Sequence, residues 1–175
     1  MCIRDRLIIL LAPIFGVLWV TLSRRGRSFG QPFKIGAGLI FVGLGYIVMF
    51  FAAQRLNSGV SKVGMMYICG CYFLHTVGEL ILSPTGLSYV AKTAPARHMS
   101  SLMGIWFISS FVAGLAAGKV GALVDPIIEG KVKLPWRFGG QADFFLLFVV
   151  SSIAAGILVI AAAPFLVMLQ RRRTD

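Results

Sequence analysis

Residues 75–90 read HTVGELILSPTGLSYV, and the rest of the chain is best understood from what surrounds the glutamate in this run. Glu79 stands among apolar residues, with His75 one helical turn before it and Pro84 five residues after it. Steps of four residues turn about 40° on an α-helix, so His75, Glu79 and Ser83 share a face, and Gly86 returns to nearly the same direction. Pro84 lacks the amide that would bond the Leu80 carbonyl, and its ring presses on that turn, so a kink or local opening is expected there. Freed carbonyls beside a carboxylate make a polar pocket. A membrane tolerates such a pocket only where it is buried in protein or lines a water-filled cavity.

Composition identifies the solvent. Of 175 residues, 58% are hydrophobic and 13% are charged, and the mean hydropathy is +0.87, whereas soluble domains carry about a quarter charged residues. Apolar spans are expected at about 7–23, 35–53, 63–92, 99–123 and 144–169, against the roughly 20 residues that a helix needs to cross a bilayer. The fold class expected is therefore an all-α membrane protein of five transmembrane helices. No soluble domain is left over. The first span reads as a crossing helix rather than a signal peptide, because no small-x-small cleavage site follows it and it holds Pro13 and Trp19. Residues 1–6, MCIRDR, read as an abrupt charged start of the kind left by truncation, and are set apart from the bundle formed by 7–175.

The net charge of +11 points to phosphate headgroups rather than nucleic acid, because of where the charges fall. Arg24, Arg25, Arg27 and Lys34 occupy the first connection, Lys92 and Arg97 the third, and Arg171, Arg172 and Arg173 the tail. The opposite side holds Arg55, Lys62, Lys131, Lys133 and Arg137, with Lys119 near its edge and Asp125, Glu129 and Asp143 among them. The positive-inside rule then places the first connection, the third connection and the C-terminus in the cytoplasm.

Cys69 and Cys71 are two residues apart on a helix, about 200° around the axis, and cannot chelate one ion together. They read as small apolar residues. The sequence holds no metal-ligand spacing, phosphate-cradling loop or catalytic triad, so no catalytic residue, metal or cofactor is expected. The second helix carries Gly36, Gly38, Gly43 and Gly45, and the fourth carries Gly104, Gly114 and Gly118. Gly114 and Gly118 form a small-xxx-small pair of the kind that admits a neighbouring helix. On the fourth helix Trp106, Phe107, Ser109 and Ser110 lie about a turn inside one end. Trp106 reads either as an interfacial anchor or, given its depth, as part of a pocket.

The run ELILSPTGLSYVAKTAPAR, followed by MGIWFISSFVAG, resembles the proton-dependent oligopeptide transporters of the major facilitator superfamily. Those carry an E-L-x-x-S-P-x-G-L-S stretch, an A-P-x-R turn and an M-G-x-W-F-x-S segment on the next helix. The resemblance covers about fifty residues in order and spacing, and IILLAPIFGVLW with its basic loop is similar to an earlier helix of the family. It implies that the five spans are helices eight to twelve of a twelve-helix core, with helix seven and the N-terminal half-bundle outside this chain. It also runs the first helix from outside to inside, in accord with the charges.

On this resemblance the function is proton-coupled symport of di- and tripeptides by alternating access, in the cytoplasmic (inner) membrane, with protons as the coupling ion and no cofactor. Glu79 matches the glutamate that meets the peptide's amino terminus, Ser83 the serine one turn later, and Trp106, Phe107 and Ser110 pocket positions of helix eleven. A carboxylate suits this work because protonation removes its charge and releases a bound ammonium. The family's asparagine near the start of helix eight, its helix-one glutamates and its carboxylate-binding arginine and lysine have no counterpart here. His75 lies outside the family pattern, so a role in proton relay competes with plain helix packing. Other facilitators, for nitrate or drugs, and a small membrane scaffold are the alternative readings.

Overall fold

The computed structural model describes residues 3–24, 30–60, 62–132 and 134–171. Of the residues just discussed, Arg25, Arg27, Lys133, Arg172 and Arg173 lie outside that set. Six α-helices and one 3-10 turn follow one another: α1 (Ile3–Arg24), α2 (Gln31–Asn57), α3 (Met65–Thr93), the turn Ala96–His98, α4 (Met99–Gly121), the short α5 (Val124–Ile128) and α6 (Gln141–Arg171). The described residues contain no strand.

Among the described residues, four helical stretches are long and apolar enough to cross a membrane: Gln31–Asn57, Met65–Ala91, Met99–Ile128 and Gln141–Phe165. At 1.5 Å per residue, even the shortest exceeds the roughly 30 Å of bilayer hydrocarbon. The first helix differs. It runs for 22 residues, but its apolar stretch is only Arg6–Leu18. Ile3 to Arg6, set apart on sequence, are continuous with this helix.

The core is a three-helix layer with α2 in the middle. The Gln31 amide donates to the Ser88 hydroxyl at 3.3 Å, joining the start of α2 to the end of α3. The Asn57 amide donates to the Gly139 carbonyl at 2.7 Å, joining the end of α2 to the approach to α6. Both neighbours therefore run antiparallel to α2. Glycine lets them come close. A Cβ on Gly36 would stand 2.8 Å from the Gly156 carbonyl of α6, and one on Gly156 would stand 2.9 Å from the Gly36 carbonyl. On the other side, Gly38 and Gly78 of α3 make the same reciprocal contact at 3.1 and 2.9 Å. Lipid gives no hydrophobic driving force between helices, so such backbone-close contacts supply the dispersion that holds the layer.

The two faces of α2 follow from spacing. Gly36 and Gly43 look toward α6, while Gly38 and Gly45 look toward α3; each pair is seven residues apart, two turns on one side of the helix. By contrast α4 has no buried residue. A Cβ on Gly104, Gly114 or Gly118 would meet nothing within 4 Å, so no described helix of this chain occupies the small-xxx-small surface of α4.

Candidate functional site

The expected site is built on α3 and α4. Helix α3 is continuous from Met65 to Thr93 with Pro84 inside it. The contact of Leu82 with Gly38 braces α3 against α2 two residues before the proline. Polar side chains are satisfied along the same helix. Thr76, fully buried, donates to the Tyr72 carbonyl at 2.7 Å, and Ser88 donates to the Thr85 carbonyl at 3.0 Å.

His75, Glu79, Ser83 and Gly86 do lie on one side of α3, yet they meet different surroundings. His75 packs into α2, with its ring over Gly45 and against Tyr46. Glu79 is half-buried, next to the Gly78 contact with Gly38. Ser83 is exposed. Gly86 receives the indole of Trp106 from α4: a Cβ there would fall 2.5 Å from the Trp106 Cη2. Trp106 thus docks on the glycine two turns beyond Glu79, about 10 Å along the axis. Only a residue without a side chain leaves space for the ring there. Phe107 is 65% exposed, and Ser110 is exposed, its hydroxyl donating to the Trp106 carbonyl at 3.2 Å. Ser109 donates to the same carbonyl at 2.7 Å.

The structure therefore brings α3 and α4 together through Trp106 and Gly86, and leaves Ser83, Phe107 and Ser110 open. Sequence reasoning missed the notch at Gly45 and the Gly38–Gly78 contact that adjoins Glu79. The seven-residue spacing of Gly38 and Gly45 was the available signal. It also missed Asp143, counted only as a loop charge. Its carboxylate is buried and accepts from the amides of Phe138 at 2.7 Å and Gly139 at 3.2 Å. Among the described residues no group of three or more His, Cys, Asp or Glu could hold a metal ion.

Bilayer-length helices, a glycine-packed layer and a half-buried carboxylate two turns from a tryptophan seat define a polytopic α-helical membrane protein. The sequence profile of the POT family (PTR2) matches residues 3–134, and the chain belongs to that family. It is similar to the peptide transporter YePEPT of Yersinia enterocolitica subsp. palearctica, at 38% identity over 118 residues, 67% of this chain and 23% of that protein. The di-/tripeptide transporter of Lactococcus lactis is 29% identical over 160 residues, 91% of this chain and 29% of its own length. A crystal structure of a peptide transporter POT in complex with sulfate superposes with a TM-score of 0.72 at 28% identity, over 92% of this chain and 30% of that one. The chain spans about a quarter to a third of these proteins.

Proposed function

We propose that this chain forms part of a proton-coupled symporter of di- and tripeptides. Glu79 would receive the peptide's amino terminus, and Ser83, Trp106, Phe107 and Ser110 would line the same pocket. The observation that carries this reading is the placement of Glu79 in an otherwise apolar helix, with a tryptophan docked two turns away on the same side. The names of the relatives support a peptide as cargo. A deprotonated carboxylate pairs with the peptide ammonium, and protonation releases it, so one group serves both binding and coupling. The remaining half-bundle would supply the opposing wall, and rocking of the two halves would expose the site to each side in turn. The chain would lie in the cytoplasmic membrane with its C-terminus inside. No bond of the peptide is broken, so no enzymatic step and no cofactor enter the cycle.

The test uses a full-length carrier in which these residues replace the matching segment of the Lactococcus lactis relative. Glu79→Gln keeps the shape and removes the charge. Truncating one partner of a desolvated charge pair costs about 2–5 kcal/mol, which is more than tenfold in affinity. Free-amine peptides should bind more weakly by that factor, while N-acetylated peptides, poor ligands from the start, change little. Unchanged uptake and unchanged discrimination in well-folded Glu79→Gln protein would remove the role assigned to Glu79. Uptake of nitrate or a drug instead of peptide by the unmodified graft would favour another facilitator.

A further inference from the structure

The imidazole of His75 lies directly over the backbone of Gly45. A Cβ on Gly45 would fall 2.2 Å from the ring's Cδ2, 2.6 Å from Nε2 and 3.3 Å from the Cys71 carbonyl. Tyr46 of α2 meets the same ring edge-on, with centroids 4.6 Å apart at 62°. The Cys71 sulfur, one turn back on α3, is 3.8 Å from Nε2 and 4.0 Å from Nδ1. Tyr46 in turn stacks on Phe148 of α6 at 4.9 Å and 20°, and Phe148 meets Phe144 at 5.0 Å. One aromatic row therefore crosses from α3 through α2 to α6.

This row has a second anchor. Three residues after His75, Gly78 fits against the Gly38 carbonyl and Val42, both at 2.9 Å from the position of a Cβ. Glu79 is the next residue. Turning α3 by one residue, about 100°, would lift the ring from its notch and carry Gly78 off Gly38. A flat ring in a glycine notch thus resists both rotation and sliding of the helix.

We infer that His75 is a positioning residue: seated in the Gly45 notch, it sets the height and rotation of α3 and so the placement of Glu79. The groups that pack on its ring fit this role. Gly45, Tyr46 and Cys71 confine the ring on three sides, so packing fixes where it sits, with Glu79 one turn further along α3. The effect on peptide uptake rests on the reading of Glu79 given above; the notch itself does not.

Two measurements test the inference. The first is a thermal-unfolding cycle on the purified grafted carrier with Gly45→Ala, His75→Ala and the double variant. The methyl of Gly45→Ala has no room while the ring is present, so the loss in Tm of the double variant should be smaller than the sum of the single losses. Additive losses would overturn the notch. The second uses the grafted carrier. His75→Phe keeps a flat ring and has no titratable nitrogen, and it should preserve the pH profile of uptake and hold KM within about twofold. His75→Ala should raise KM severalfold. Loss of proton-driven uptake in His75→Phe, with peptide exchange intact, would overturn the positioning role in favour of a relay. A wild-type graft that takes up no peptide would overturn the substrate reading, and the melting cycle would then decide the notch by itself.

Discussion

Asp143 illustrates how a single charge acts here. It stands in the first turn of α6, where a negative group meets the positive end of the helix dipole, and its two oxygens hold the amides of Phe138 and Gly139. Gly139 and Gly140 have φ of +91° and +60°, a conformation that side chains rarely adopt. At Gly140 the Asn57 Oδ1 stands 2.8 Å from where a Cβ would be. Asn57 then closes the loop through its bond to the Gly139 carbonyl. In Asp143→Asn one oxygen becomes an amide NH2 that cannot accept, leaving a loop N–H unpaired at a cost of about 1–3 kcal/mol. Hydrogen exchange should show it. The amides of Phe138 and Gly139 should exchange about tenfold faster, since 1.4 kcal/mol is tenfold, with the middle of α2 unchanged. Exchange at wild-type rates would show that Asp143 does not hold the loop.

Helices α2 and α4 carry similar glycine counts and behave differently. On α2 each glycine faces a neighbour: Gly36 and Gly43 face α6, and Gly38 and Gly45 face α3. On α4 Gly104, Gly114 and Gly118 face open space. Gly36→Ala would press a methyl to 2.5 Å from Ile160 and 2.8 Å from the Gly156 carbonyl. Backbone cannot give way as a side chain can, so we expect a loss of about 1–3 kcal/mol. Gly114→Ala meets nothing and gains helix propensity, and should leave the chain as stable or up to about 1 kcal/mol more so. Melting of the purified grafted carrier in one detergent compares the two. Equal destabilisation by both substitutions would contradict the packing of α2 as its central helix.

The bundle as a whole has two ends, and the hydrogen bonds mark them. Gln31 with Ser88 belongs to one end, and Asn57 with Gly139 to the other. If the basic connections face the cytoplasm, cysteines placed at Gly30 and His98 should label only from inside, and cysteines at Lys62 and Lys131 only from outside. Labelling of all four from one side would break the alternating topology. The same geometry explains why α1 and α4 are the exposed members. The layer α3–α2–α6 is closed by glycine contacts, while α4 meets α3 where Trp106 covers Gly86.

Much of this protein was legible before any coordinates. Low charge and long apolar runs placed α2, α3, α4 and α6, because a bilayer imposes length and hydropathy on any helix that crosses it. The E-L-x-x-S-P-x-G-L-S run marked Glu79 and the family together, since motif spacing is a property of the chain. The partners of each residue were not legible. Periodicity put His75, Glu79 and Ser83 on one face, but only the crossing of α3 over its neighbours sends His75 into α2 and Gly86 under Trp106. Composition likewise could not separate the packed glycines of α2 from the open ones of α4. Both sets look alike along the chain, and the difference arises from which helix lies opposite. That is a property of the tertiary structure alone, because lipid is as apolar as the side chains and close fit selects the neighbour.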